Sequence, residues 1–78
     1  MPKLPQVSGK DTIKALGKIG FVIVHQRGSH VKLIRNINDQ KQTVIIPLHK
    51  ILKRGTLRNG ILRNINLTVG DFVKLLNK

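Results

Sequence analysis

Three β-prone segments follow one another in this chain, with only short turn sequences between them. The segments are "FVIVHQ", "HVKLIR" and "QTVIIP", at 21–26, 30–35 and 42–47. Gly28 and Ser29 form the first turn, and "NINDQK" supplies residues typical of the second. Because a parallel crossover needs about a dozen residues or more, these connections predict a three-stranded antiparallel meander. Pro47 closes the last strand, since it has no N–H for a ladder.

A helix is predicted before the strands. Ser8 is a candidate N-cap, and the apolar spacing after it predicts a helix near 9–19. Gly20 is the expected C′ residue, where glycine adopts the left-handed conformation easily. Residues 1–7 hold two prolines and are expected to be an irregular lead-in.

Two further helical segments follow the strands. Thr56 is a candidate N-cap for a second helix, whose apolar residues in register are Leu57, Ile61 and Ile65. Thr68 caps a short last helix near 69–77. The order α-β-β-β-α with a short C-terminal helix predicts a two-layer α+β fold with a three-stranded antiparallel sheet. The double-stranded-RNA-binding domain has the same element order.

Charge is the strongest compositional signal. The 78 residues predict one domain over 1–78, with 15 Lys and Arg against three acids and a net charge of +12. A chain this basic favours a polyanionic partner, nucleic acid first. We expect a cytoplasmic protein, because the chain has no cysteine, no signal-like N-terminus and no long apolar run.

Metal-dependent chemistry is poorly supported by the residue types present. Each of the three acids has a local role as a cap or turn residue: Asp11, Asp39 and Asp71. Nucleases that use metal ions usually hold them with clustered carboxylates. The histidines are also too few for a convincing zinc site: His25, His30 and His49. We therefore expect no metal and no cofactor.

Metal-free acid–base chemistry on RNA remains open, because RNA carries its own nucleophile. The 2′-hydroxyl attacks the adjacent phosphorus once a base removes its proton, and cations stabilise the developing charge. His30 fits this role, with nearby cations Arg27, Lys32 and Arg35 as candidate phosphate ligands. Only Lys32 or Arg35 can accompany His30 directly, since they alternate to opposite faces of a regular strand. A solvent-exposed strand histidine without a catalytic role is the competing interpretation.

Three segments of the chain resemble, in order, the HicA toxins. They are "GFVIVHQRGSHVKL", "VIIPLHK" and "RGTLRNGILRNINLT". The resemblance implies a fold similar to the double-stranded-RNA-binding domain and a metal-independent mRNA interferase. It also implies that His30, presented by the turn at Gly28 and Ser29, is the catalytic residue. A HicB-type antitoxin is the implied protein partner, covering the His30 site.

Several other residues are candidates for RNA contact. A basic cluster around the start of the second helix is expected to bind RNA phosphates: Lys50, Lys53, Arg54 and Arg58. His49 is either a structural residue or a second acid–base group. The segment "TLRNGILRNINLT" has one residue more than the HicA segment it resembles, near Asn59 and Gly60, which predicts a shifted or bulged helix.

Two functions without catalysis stay open at this point. One is a non-catalytic RNA-binding module, such as a double-stranded-RNA-binding or ribosome-associated protein. The other is a subunit that works only within a protein complex. Neither would cleave RNA.

Overall fold

The computed structural model describes residues 3–77 and confirms the predicted α+β layout. Its elements are helix α1 (Gly9–Gly17), strands β1 (Val22–Arg27), β2 (His30–Ile37) and β3 (Gln40–Pro47), a π-helix (Thr56–Leu62), a 3₁₀ turn (Arg63–Ile65) and helix α2 (Val69–Leu76). The strands form one antiparallel sheet in the order β1-β2-β3. The first two residues of the predicted lead-in lie outside the described residues, and its remainder has no helix or strand. None of the helices in the described range is both long and apolar enough to cross a membrane.

Helix α1 begins and ends with the predicted signals. The Ser8 hydroxyl accepts a hydrogen bond from the Asp11 N–H at 3.0 Å, which satisfies a donor that the first helical turn leaves free. At the other end Gly20 has a φ of 101°, and the Phe21 N–H donates to the Leu16 carbonyl at 3.2 Å. This is the Schellman arrangement, so Gly20 is the C′ residue as predicted.

The prediction that Thr56 caps the second helix is wrong. Gly55, the residue before it, already has helical backbone angles (φ −62°, ψ −42°). The Leu57 N–H also donates to the Lys53 carbonyl at 3.0 Å, a bond that spans Thr56. An N-cap residue has extended backbone and a side chain that accepts an N–H. Thr56 lies inside the helical turn instead, because the helical backbone already begins before it, at Gly55.

The second helix is wound as a π-helix, with hydrogen bonds to the fifth residue along. The Arg63 N–H donates to the Arg58 carbonyl in this pattern. A π-turn holds one more residue than an α-turn over the same length. The predicted bulge near Asn59 and Gly60 is therefore present as a π-helix. Leu57 and Ile61 of this helix are both fully buried.

The last helix is capped as predicted. The Thr68 hydroxyl accepts the Asp71 N–H at 3.1 Å, and helix α2 follows directly. Phe72 is fully buried and anchors this helix in the core. Burial of a large aromatic side chain stabilises such a small domain strongly, by about 1.5–3 kcal/mol from transfer alone.

The core lies between one face of the sheet and the helices. Strand and helix residues with exposures of 3% or less meet there, among them Val31, Leu33, Val44, Ile46, Leu16, Leu57, Ile61 and Phe72. We call this side of the sheet the inner face and the opposite side the outer face. All six residues of β1, an edge strand of the sheet, are exposed.

Candidate active site

A tight turn joins β1 to β2 and presents His30. The loop has two residues, Gly28 and Ser29, since Arg27 pairs with His30 across it. Gly28 has a φ of 58°, and a left-handed first position is typical of two-residue hairpin loops with glycine there. The turn predicted at these residues is therefore confirmed.

This turn is fixed to the rest of the sheet by its backbone. The Ser29 carbonyl accepts the Leu48 N–H at 2.7 Å. Helix α1 packs against the same end of β3, where a side chain at Gly9 would collide with the Pro47 carbonyl oxygen. The Gly9 N–H donates to the His49 carbonyl at 2.9 Å. The turn before His30 is thus held to the end of β3 by the Leu48–Ser29 hydrogen bond.

His30 points away from the core. It pairs with Arg27 on one side and Pro47 on the other. Its neighbour Val31 is buried on the inner face, and successive side chains alternate across a strand. The His30 imidazole is therefore presented on the outer face, exposed, beside the Arg27 guanidinium.

A second pair lies next to it on the outer face. His25 pairs with Lys32, and Lys32 pairs in turn with Ile45 of β3. The register of β1 shifts between Ile23 and His25, so Val24 is an extra residue. Bulges of this kind change which face the following side chains occupy. Without it, the alternation set by Ile23 would have turned His25 to the inner face.

Arg35 lies apart from this group, on the inner side of β2. Its guanidinium donates to the Gln42 side-chain oxygen at 2.6 and 3.0 Å and to the Ile19 carbonyl at 3.1 Å. The same group stacks 4.8 Å from the Phe21 ring centroid. The structure thus brings Lys32 to His30 and gives Arg35 contacts within the protein.

The predicted basic cluster of Lys50, Lys53, Arg54 and Arg58 does not form one surface. Lys50 lines one groove, and Arg54 and Arg58 line another. Lys50 and His49 line an apolar groove of about 290 Å³ together with Ser8, Lys10 and Leu48. His49 has no register partner, since the chain leaves the sheet at Pro47. The connector is held by the Leu52 N–H, which donates to the Val7 carbonyl at 2.7 Å.

A second, open groove contains the other cations. Lys3, Arg54 and Arg58 line it, and its volume is about 510 Å³. Lys53 is exposed nearby in sequence but does not line this groove. Lys3 was not predicted, because nothing in the sequence indicates that the lead-in returns to the second helix.

The sequence suggested His25 only as a candidate zinc ligand, and no acid–base role was predicted for it. A two-residue loop at Gly28 and Ser29 pairs the residues on either side of it, and counting outward from that loop pairs His25 with Lys32. The pairing of His25 with Lys32 could therefore be predicted from the turn sequence. It could not be predicted from the alternation of side chains along β1.

The acids are remote from this pattern. The register partners of Arg27, His30 and Lys32 include no carboxylate. Within residues 3–77, no three His, Cys, Asp or Glu side chains are grouped closely enough to hold a metal ion. The exposed outer face is therefore a cationic surface with two imidazoles.

Comparison with known proteins gives a family for this arrangement. The family model described as HicA toxin of bacterial toxin–antitoxin systems matches residues 9–67 of the 78-residue chain. No curated protein and no solved structure matches the chain significantly. The matched range includes α1, the whole sheet, the turn before His30 and the π-helix. The chain belongs to the HicA toxin family, and it is the toxin of a toxin–antitoxin pair.

Proposed function

We propose that this HicA toxin is an endoribonuclease, an mRNA interferase of the cytoplasm, with His30 as its acid–base catalyst. The observation that carries the proposal is the position of His30. The Gly28–Ser29 turn, held by the hydrogen bond from the Leu48 N–H to the Ser29 carbonyl, presents it on an exposed sheet face as the register partner of Arg27. A fixed imidazole next to a cation is what transfer of a phosphodiester to a neighbouring hydroxyl requires.

The proposed reaction needs no metal ion. His30 takes the proton of the 2′-hydroxyl, whose oxygen attacks the adjacent phosphorus. The bond to the 5′-oxygen breaks, leaving a 2′,3′-cyclic phosphate and a 5′-hydroxyl. Arg27 and Lys32 balance the charge that develops on the phosphoryl oxygens. DNA lacks the nucleophile and should not be cut.

Backbone contacts along the RNA would come from the connector. Lys50 and the groove cations Arg54 and Arg58 are exposed, and Lys53 lies between them in sequence. Phosphate contacts of this type carry little sequence information and weaken steeply with salt. Arg35 is left out of this proposal, because its guanidinium is occupied within the fold.

The antitoxin partner is proposed to be of the HicB type and to cover His30. The outer face around the site carries apolar side chains that a partner would bury. Val22 is 56% exposed and Ile45 46% exposed, and both lie on the same face as His30. Coexpression with the antitoxin of the neighbouring reading frame should abolish cleavage. Ile45→Lys should restore cleavage in that mixture without altering the free toxin.

The test of catalysis compares wild type with His30→Ala on single-stranded RNA in excess EDTA. Wild type should cut and leave cyclic phosphate ends, and His30→Ala should cut about 10²–10⁴-fold more slowly, the usual contribution of a positioned acid or base. Asn36→Ala is the matched control, since Asn36 is exposed on the same strand and face. Equal activity of His30→Ala and wild type would refute the assignment, and loss of all cutting in EDTA would refute the metal-free mechanism.

A non-catalytic RNA-binding module is the second candidate. The open groove with Lys3, Arg54 and Arg58 favours it, because those cations suit phosphate binding without any chemistry. It predicts salt-sensitive RNA binding with no cleavage by wild type under any condition of the same assay.

A further inference from the structure

The proposed reaction leaves one proton transfer without an assigned residue. When the bond to the 5′-oxygen breaks, that oxygen must gain a proton, and the group that supplies it must be separate from the base. We infer that His25 is this second group, the general acid of the site. The inference rests on the proposed catalytic role of His30.

The sheet register places the two imidazoles together. His30 pairs with Arg27, and His25 pairs with Lys32. His25 and His30 are therefore diagonal neighbours on one face of an antiparallel pair, with backbone positions about 7–8 Å apart. Two imidazoles at this spacing leave room for one phosphodiester between them.

The bulge at Val24 is what turns His25 outward. Ile23 opposes Leu33, a core residue of the inner face. Regular alternation from that pair would put Val24 opposite Lys32 and His25 inside. The extra residue reverses this, and bulges are found beside active sites because they redirect a side chain in this way.

His25 has no evident structural role within the described residues. It is exposed on the edge strand β1, and no hydrogen bond between described residues engages its ring. The charged groups that face it are Lys32 across the pair and Arg27 on its own strand. The core does not account for a histidine at this position, and the cationic surroundings suit a phosphate.

His49 and Lys32 are the rivals for this role. His49 lies beyond the end of β3, in the groove beside Ser8 and Lys10, with no partner in the register. Lys32 is close enough, but an ammonium gives up its proton far less readily near neutral pH than an imidazolium does. Lys32 is better suited to hold the phosphoryl oxygens.

The transfer balances with two histidines. Neutral His30 accepts the 2′-hydroxyl proton as the 2′-oxygen bonds to phosphorus. The phosphorus–5′-oxygen bond breaks, and protonated His25 gives its proton to that oxygen. The products are a cyclic phosphate and a 5′-hydroxyl, with His30 protonated and His25 neutral. Exchange of one proton with solvent at each ring restores the starting state.

A substrate with sulfur in place of the leaving 5′-oxygen tests this assignment. A thiolate is a much weaker base than an alkoxide and leaves without protonation, so a general acid becomes unnecessary. His25→Ala should cut ordinary RNA about 10²–10³-fold more slowly. On the sulfur substrate its rate should come within a few fold of wild type. His30→Ala should be impaired on both substrates, since the base is needed for each.

The pH dependence gives an independent readout. Wild type should show a bell-shaped profile, since one ring acts neutral and the other protonated. The rate needs His25 protonated, so it should fall at high pH. In His25→Gln the cleavage rate should no longer fall at high pH. It should still increase as the pH is raised through the acidic range, because His30 must be neutral to act as the base. Circular dichroism melts should match wild type, since His25 is exposed.

Each other outcome overturns the inference. Equal loss on both substrates would make His25 a phosphate-positioning residue, and no loss would remove it from the site, with the His30 assignment intact in both cases. Selective rescue of His49→Ala by the sulfur substrate would make His49 the acid. No cleavage of either substrate by wild type would overturn the inference together with the proposed function.

Discussion

The two hairpins of the sheet share strand β2 but are built differently. The first joins β1 to β2 through Gly28 and Ser29, and its register shifts at Val24. The second joins β2 to β3 through Asn38 and Asp39, and its register is unbroken over its whole length. Both loops have two residues, but in the first only Gly28 has a positive φ, whereas in the second both Asn38 and Asp39 do.

Strand β3, which belongs to the second hairpin, carries core residues, and strand β1 of the first hairpin does not. Arg35 and Gln42 link β2 to β3 and, through Ile19, to the end of α1. All residues of β1 are exposed. The shared strand therefore has two different sides. Val31 and Leu33 hold its inner side rigidly, and its outer side is free to carry functional groups, as a precise site requires.

The largest effect in the comparison of the two hairpins tests whether the first one is functional. Arg27→Ala should slow RNA cleavage about 10²-fold, as loss of one charge-stabilising donor does elsewhere. Its thermal stability should be unchanged, because Arg27 is exposed. Lys41→Ala removes an equal charge from an exposed position of the second hairpin and should leave the rate at saturating RNA unaltered. Equal losses in both variants would mean that only net charge matters.

The next effect tests whether the second hairpin is structural. Arg35→Met keeps most of the aliphatic stem but removes the donors to Gln42 and Ile19. Its unfolding free energy should fall by roughly 1.5–3 kcal/mol, the usual cost for hydrogen bonds to a charged group. Urea denaturation followed by circular dichroism measures this.

The same variant also decides the role of Arg35 in catalysis. Cleavage per folded molecule should stay within about twofold of wild type, because no transition-state contact is lost. A large loss of cleavage at unchanged stability would instead show that Arg35 contacts RNA, as the sequence analysis proposed.

Features set by neighbouring residues were predictable from the sequence. The caps at Ser8 and Thr68 and the C′ role of Gly20 are local hydrogen bonds within four or five residues, so the residue types alone indicate them. The alternation that buries Val31 and Leu33 is also local. These signals were sufficient for the element order and the antiparallel sheet.

Features that depend on distant segments were not predictable. Arg35 meets partners from two other parts of the chain, the segment after α1 and strand β3, and no pattern around it indicates them. The second helix starts before Thr56 because burial of Leu57 outweighs a capping preference worth about 1 kcal/mol. The bulge at Val24 shows only in the pairing of β1 with β2. The catalytic role of His30 remains a prediction.

The smallest effect compares the two loops directly. Gly28 has a φ of 58° and no atom within 4 Å of where a Cβ would lie. Gly28→Ala should therefore destabilise by about 1 kcal/mol through backbone conformation alone. Asp39 has a φ of 63°, and Asp39→Gly should stabilise by about 0.5 kcal/mol, since Asn-Gly is the preferred pair for such loops.

Cleavage assays on these two variants separate stability from positioning. If the first turn orients His30, Gly28→Ala should lose more cleavage than its unfolded fraction explains, because a small misplacement of a catalytic group is costly. Asp39→Gly should leave cleavage per folded molecule unchanged, since its loop lies at the opposite end of β2 from His30. If the unfolded fraction explained the cleavage activity of both variants, the two turns would differ in sequence but not in function. His30 would then owe its position to the Leu48–Ser29 hydrogen bond and the Pro47 pairing alone.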